Sequence, residues 1–454
     1  MDDQPRPRTR GVGLGLPASG SSGRNPRRRV KMAAISTGRH SGGVAWWKTA
    51  LALLWAVAFA IGTYGLVERF RLGHEIANYG SYVPWGLWVS MYIYFIGLSA
   101  GAFLLSSLIY VGGVHRLESI GRLALFTAFI TLVSALLTIW LDLGHQERFW
   151  EVYTRPNPFS MMAWMVWLYT CYFLLVTLEL WFALRADLVS WRNRRGLTGL
   201  LARLLSFGSL DSSTAARARD MRALKILGTI GVPLAIAFHG GVGALFGVVG
   251  ARPYWNSALY PILFLVSALA SGGALLTFVV AAIWPGRRSP EFTAVVSLLG
   301  RITLGLLALD LLFEWAEISI NLYASIPAAA GAYRESLFGA HWWLFWLVHL
   351  LLGSVLPILL LVFRSRSVRA VGLAGFLIAT TFLAVRIDIV VPGQLIPEIR
   401  GLETAYQEAG LSFQYVPSNG EWLVGLFVVS LAVLLFTIGY TNLPLVEKTA
   451  EEEA

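Results

Sequence analysis

A single cysteine, Cys171, and seven histidines are all the thiol and imidazole metal ligands that this 454-residue chain offers. One thiol excludes an intrachain disulfide and any iron–sulfur cluster or zinc site built from cysteines of this chain. Two b-type haems would need four axial ligands, usually histidine. Only His239 and His349 fall clearly inside apolar segments, with His341 at an edge, so a di-haem anchor is excluded. Charge is scarce too: 14% of residues are Asp, Glu, Lys or Arg, against about 25% in soluble domains. No phosphate-binding glycine loop and no nucleophile motif occurs. A soluble enzyme is thereby ruled out, and any iron–sulfur centre taking part must sit on a partner polypeptide.

What the chain does have is apolar length. Hydrophobic residues make up 56% of it. Segments near 45–66, 85–112, 121–142, 160–184, 222–248, 257–284, 292–323, 341–363, 369–387 and 420–441 each approach the ~20 residues needed to cross a bilayer. The reading is an all-α polytopic membrane protein of about ten transmembrane helices, the ninth being the least secure. Eighteen Trp and sixteen Tyr suit interfacial belts.

Lys and Arg gather before the first span, between Arg185 and Lys225, and around Arg287, Arg301 and Arg364–Arg369. The alternate loops hold only Arg69, Arg71, Arg148, Arg155, Arg252, Arg334, Arg386 and Arg400. The positive-inside rule then places both termini in the cytoplasm, and the net charge of +10 reports topology rather than nucleic-acid binding. Residues 1–43 are Arg-, Gly-, Ser- and Pro-rich and read as a disordered basic tail. "NPRRRVKM" has a twin-arginine look, but the apolar stretch after it is long enough to span and nine more follow, so it reads as an anchor. The start is either Met1 or Met32.

"SAGAFLL" (99–105) and "SGGALLT" (271–277) share Ser, Gly, Ala and Leu in register, in two spans running the same way. That pattern suggests two parallel four-helix bundles, spans 2–5 (85–248, with a cytoplasmic linker 186–221) and spans 6–9 (249–387). The first span and its loop (44–84), an external loop (388–419) and the last span with its tail (420–454) flank them.

Polar residues inside apolar runs are the functional candidates. In "LALDLLFEWAEISIN" (307–321), Asp310, Glu314, Glu317 and Asn321 fall within about 60° of one helix face. A carboxylate at the bilayer centre costs about 2.5–3.5 kcal/mol on insertion scales, so this stripe must face the bundle interior. Its ~16 Å of rise suits a proton route. Structural pairing with Arg386 or His349 is the alternative. Glu179, toward the inner end of span 4, reads as a snorkelling side chain.

The loops opposite the arginine clusters carry the specific-looking strings: "PWGLWVSMYIYFIGLSAGAF", "DLGHQERFW…PNPFSMMAW", "HGGVGALFGVVGARPYWNSALYP" and "RIDIVVPGQLIPEIRGL". Together, in order over roughly 45–445, they resemble the NrfD/PsrC polysulfide-reductase membrane subunits, most of all the long ten-helix branch of hydrogenase and respiratory complexes. Asp142-Leu143-Gly144 and Glu147-Arg148-Phe149 match the family's "DLG.PERF" element, with Gln146 in place of the usual Pro. His239 stands where shorter relatives carry a Tyr implicated at the quinone.

The resemblance implies a bacterial inner-membrane subunit that binds menaquinone or ubiquinone and holds no haem, metal or iron–sulfur cluster of its own. It also implies electron exchange with a periplasmic four-cluster iron–sulfur subunit, and through that with a molybdopterin oxidoreductase or hydrogenase.

A quinone site needs hydrogen-bond donors, a titratable group and an apolar mouth. His239 is the first candidate, as a neutral donor and proton relay. Asp142, with His145 and Arg148 beyond it, and Trp88, Ser90 and Tyr92 complete the expected set. Asp310, Glu314, Glu317, Asn321, Arg386 and His349 form the expected proton path. His74, Glu75 and Tyr79 read as lying outside the hydrocarbon, solvated or facing a partner. A proton-coupled secondary transporter is the rival class, but Pro233 and Pro357 occur singly, without the matched helix breaks such a fold uses.

Overall fold

A computed structural model of the chain describes residues 46–284, 289–406, 408 and 410–446. The expected basic tail and the two candidate starts lie outside the described residues. By contacts the chain divides at residue 50: residues 46–50 open the first helix, and Leu51 onward is a second unit.

Among the described residues there is no strand, and ten helices are long and apolar enough to cross a membrane. They run Trp46–Ile76, Leu87–Tyr110, Arg116–Asp142, Met161–Trp191, Thr214–Gly247, Tyr260–Ile283, Pro290–Ala324, Leu344–Phe363, Val368–Leu395 and Asn419–Asn442, here spans 1 to 10. The chain is thus a multi-pass integral membrane protein, and helices are what an apolar solvent dictates: every backbone group must be satisfied within its own segment. Five spans open on a serine whose hydroxyl accepts a backbone N–H of the first turn: Ser160, Ser213, Ser289, Ser367 and Ser418. Spans 4 and 5 extend into the expected linker, which also holds a short helix, Gly196–Leu205. There Arg185 clamps Asp220 at 2.6 Å and also donates to Ser209 at 2.8 Å.

Burial separates core from periphery. The apolar window of span 2 is 83% buried, whereas that of span 1 is 11%. Span 9, the least secure of the expected spans, is present and well enclosed, its apolar window 67% buried and its polar Arg386 and Thr381 facing inward. Span 2 packs on spans 3, 5, 6 and 9, and span 6 on 5, 7 and 9. The two glycine motifs meet where spans 2 and 6 cross. A Cβ on Gly101 would lie 2.1 Å from the Ala268 carbonyl, and one on Gly272 would lie 2.6 Å from Gly101 Cα. Small residues let the backbones touch, which in lipid replaces the missing hydrophobic drive between helices.

At one end lie the loops rich in Tyr and Trp; at the other lie the arginine clusters. The motif strings lock the first end together. Gln394, fully buried, accepts from Trp85 N–H at 3.1 Å and donates to the Trp85 and Val390 carbonyls at 2.8 and 2.7 Å. Arg252 pairs with Glu398 at 2.7 Å and reaches the Gly393, Ile396 and Tyr82 carbonyls. Gln394→Leu is therefore expected to destabilise the protein by about 2 kcal/mol or more, since it strands both polar groups of Trp85. Thermal unfolding in detergent measures this.

Candidate functional site

The Tyr- and Trp-rich end is built from the ends of spans 1, 2, 3 and 10. Arg69, almost fully buried, donates to the Leu141 carbonyl at 2.8 Å and the Leu143 carbonyl at 2.7 Å, filling acceptors that the end of span 3 leaves open. Next to it the His74 Nε2 lies 2.7 Å from the Asp142 carbonyl oxygen. The Tyr79 hydroxyl donates to Asp142 Oδ1 at 2.5 Å. Trp88 is the floor of this cluster: Tyr79 stands edge-on to it at 6.0 Å, His74 lies 6.2 Å away, and the Arg69 guanidinium covers it at 5.5 Å.

A second carboxylate backs the first. Glu421, fully buried, caps span 10 through a capping box with Ser418. It also accepts from Asn78 N–H at 3.0 Å, from Leu87 N–H at 3.3 Å and from the Tyr415 hydroxyl. The Tyr79 and Tyr415 rings are 6.5 Å apart. Burial first, and the neighbouring carboxylates second, push both tyrosine hydroxyls above their usual range, so both remain protonated donors at neutral pH.

His145 and Arg148 do not join this group. Backbone at Leu143 turns extended and carries them outward, where His145 pairs with Glu147 at 3.1 Å and Arg148 with Glu151 at 2.7 Å. Ser90 spends its hydroxyl on the Gly86 carbonyl of its own helix. His74 and Tyr79 are half-buried and in contact with Asp142, not solvated; Glu75 alone of that trio is exposed.

Further inward a line of rings leads from the first half of the bundle to the second. The Tyr92 and Tyr169 hydroxyls are bonded to each other, Tyr169 and Tyr172 pack on Phe238, and Phe238 touches His239. His239 is completely buried between Phe238 and Phe264, and neither ring nitrogen has a partner. The Arg386 guanidinium also lies over Phe264, 5.0 Å from the ring; it donates to Ser267 at 2.8 Å and keeps Nη1 unpartnered.

The acidic stripe of span 7 faces inward around a cavity of about 50 Å³, enough for a few waters. Asp310, Glu314 and Glu317 line it together with Ser267, Tyr254, Tyr260, Tyr333, Ser336 and Asp388. His349 pairs with Glu314 at 2.8 Å. Glu317 accepts from Ser257 at 3.0 Å and from Asn321 at 3.1 Å, and Asp388 accepts from Ser336 at 2.9 Å. His349 lies in a stretch of π-helix, Leu344–Val355, a rare geometry that widens the turn by one residue. The Tyr254 hydroxyl donates to the Asp388 backbone carbonyl at 2.8 Å, and burial drives the Tyr254 and Tyr333 hydroxyls above their usual range. A larger cleft of about 380 Å³ adjoins, with mainly apolar walls that include Leu344, Val348, Ile387 and Trp422. Ser336 and Asp388 line both cavities, and Tyr415 lines the cleft.

Sequence reading missed Glu421, Tyr415, Asp388 and the tyrosines of the acidic cavity. Asp388, two residues beyond Arg386 in "RIDIVV", carried the signal of an intramembrane acid; Glu421 looked like an ordinary capping residue, which it also is.

Residues 75–398 match the family model described as "Polysulphide reductase, NrfD". The chain is 38% identical to a selenate reductase subunit of Mesobacillus selenatarsenatis, over 86% of this chain and 93% of that protein. It is 27% identical to the Hdr-like menaquinol oxidoreductase integral membrane subunit of Archaeoglobus fulgidus, over 89% and 95%. It is 25% identical to the menaquinone reductase integral membrane subunit of Nitratidesulfovibrio vulgaris, over 88% and 93%.

Proposed function

The chain belongs to the NrfD polysulphide reductase family, and from that premise we propose that it is the quinone-exchanging membrane subunit of a respiratory oxidoreductase complex. That it is a membrane subunit of a reductase-type complex follows from its relatives. The quinone, the protons and the partner are the finer reading. The observation that carries this reading is the Tyr79–Asp142 pair, a protonated donor on a half-buried carboxylate beneath the aromatic floor of Trp88.

A quinone, when bound, supplies a lipid-soluble carrier of two electrons and two protons. The set of groups fits it: Asp142 exchanges a proton through the Tyr79 hydroxyl bonded to its Oδ1, His74 braces the Asp142 backbone, and Arg69 keeps positive charge beside them. The cleft reached past Tyr415 gives apolar room for a chain. His239, walled in by two phenylalanines, serves better as a link toward Arg386 and the acidic cavity than as a head-group ligand. Asp310, Glu314, Glu317 and His349 then hold and pass protons, with Asn321 orienting Glu317 and Arg386 supplying fixed positive charge.

In this reading the Tyr- and Trp-rich end faces the periplasm of a bacterial inner membrane, with the arginine-rich end and both termini in the cytoplasm. A four-cluster iron–sulfur protein docks on the outer loops and connects to a molybdopterin oxidoreductase or hydrogenase. The test is to purify the chain with its native partners and assay turnover with a water-soluble menaquinol or menaquinone analogue. Saturable turnover and quinone in the lipid extract are expected; an intact, iron–sulfur-containing complex indifferent to quinones in both directions would overturn the proposal. Glu314→Gln in that complex is expected to slow quinone-linked turnover roughly tenfold or more by removing a proton acceptor beside His349. Steady-state rates with the analogue check it.

A further inference from the structure

Glu179 has the composition of a side chain that snorkels toward the membrane surface, and it does not. It is 1% exposed, and among the described residues its Oε1 has no hydrogen-bond partner and its carboxyl no ion-pair partner. Nothing in the quinone reading uses it.

Its surroundings are arranged around it. Phe103 of span 2 packs on Tyr172 of span 4 at 5.3 Å, and a Cβ on Gly231 of span 5 would strike both Phe103 and Leu175. One turn closer to the arginine-rich end, the same three helices present Ser106 and Ser107, Glu179, and Gly228. The hydroxyls of Ser106 and Ser107 are buried and also unpartnered. Gly228 lets span 5 close on this place: a Cβ there would strike Val111 Cγ2 at 2.8 Å and come to 3.9 Å from Oε1. Three orphaned polar groups at one depth in a helix bundle are unusual, because buried polar atoms are nearly always paired.

The next turn outward opens. Phe182, Ala183 and Leu224 form part of a cleft of about 200 Å³ at the arginine-rich end. Its other walls mix Tyr110, Ala186 and Met221 with the polar Glu118, Ser119, Arg122, Arg217 and Asp220. Arg122 and Arg217 both bind Asp187, at 2.7 and 2.9 Å, and Asp220 is held by Arg185. The cleft therefore has a charge-balanced, wettable mouth, and its floor is one helical turn from Glu179. Going the other way, Tyr172 lies two turns further in, 3.4 Å from Ser99, and leads to Phe238 beside His239.

We propose that Glu179, with Ser106 and Ser107, is a buried proton-loading site fed from the arginine-rich end through this cleft, separate from the acidic cavity of span 7. Protons bound there pass along Tyr172 and Ser99 toward the centre of the bundle. The carboxyl is both a proton donor and a proton acceptor, and these three helices present no other carboxyl or imidazole at that depth.

The test uses the complete complex. A hydrophobic carbodiimide adds to protonated buried carboxyls, and mass spectrometry locates the adduct. Labelling at Glu179 in the folded wild type is expected, with turnover falling in proportion; a folded complex unlabelled at Glu179 while other buried carboxyls react would overturn the site. Glu179→Gln keeps the size and the capacity to hydrogen-bond but cannot carry a proton. With the assembled complex in proteoliposomes, it is expected to lower quinone-linked turnover roughly 10–100-fold without changing the KM for the quinone analogue. Proton uptake from the compartment facing the arginine-rich end should fall in parallel. A merely structural role would be rescued by Gln, so wild-type turnover in that variant sinks the proposal. The kinetic arm rests on the quinone reading; if the wild-type complex shows no quinone-linked turnover, that reading fails and the labelling still decides the site.

Discussion

Asp142→Asn is expected to leave a complex that assembles and binds its partners but turns over quinone roughly 100-fold or more slowly. The asymmetry follows from the geometry. Tyr79 donates to Oδ1, and Arg69 and His74 engage only backbone carbonyls of the Leu141–Leu143 stretch. An amide oxygen also accepts from the tyrosine hydroxyl, if less strongly than a carboxylate, so the local fold survives. What disappears is the ability of position 142 to take up and release a proton. Tyr79→Phe, which removes the donor and keeps the acid, should cost less. Turnover with a menaquinol or menaquinone analogue measures both, and retention of the partner proteins through purification is the control for assembly. Equal rates for Asp142→Asn and wild type would relocate proton exchange to another group, with Glu421 next in line.

Gly272→Val is expected to abolish accumulation of folded protein in the membrane. The first side-chain carbon would sit 2.6 Å from Gly101 Cα and 2.7 Å from both Ala102 N and the Leu98 carbonyl. All three are backbone atoms of span 2, so no rotamer change relieves the clash and the helices must part. Spans 3, 5, 7 and 9 pack on spans 2 and 6, so separating those two loosens four neighbours. Ordinary overpacking costs about 1–3 kcal/mol, and a backbone-on-backbone contact leaves fewer ways to adapt. Gly305→Ala is the contrast: no atom lies within 4 Å of its would-be Cβ, and helix propensity favours alanine by up to about 1 kcal/mol. Detergent-extracted yield and thermal unfolding of the two variants should move in opposite directions.

Some of this was legible from residues alone. Ten spans could be counted, because lipid admits only long apolar helices and each leaves its mark in about twenty consecutive positions. The inward stripe of Asp310, Glu314 and Glu317 could be read because helical periodicity is local, and so could the separation of Tyr92 from Tyr94. Tyr92 meets Tyr169 of span 4, whereas Tyr94 donates to the Ala379 carbonyl of span 9. The family was legible through strings whose roles the structure explains. "VPGQLIPEI" holds "PWGLW" through Gln394, and "ARPYW" braces both through Arg252 and Trp255.

Other features had no local signature. His145 lies three residues from Asp142, and sequence proximity grouped them, yet one extended residue at Leu143 sends them to different environments. Glu421 and Tyr79 are separated by most of the chain and share one cluster, because spans 1, 2, 3 and 10 end together. Whether Glu179 snorkels or stays buried depended on whether spans 2 and 5 close over it, which the composition of span 4 cannot say. The sequence by itself determined that this is a helical membrane protein of the NrfD family with carboxylates buried in its interior, since those properties follow from residue types and short-range periodicity. Which carboxylates meet a tyrosine, a histidine or no partner at all was decided by tertiary packing alone, since contact between helices is set by how ten of them cross and not by the order in which they occur.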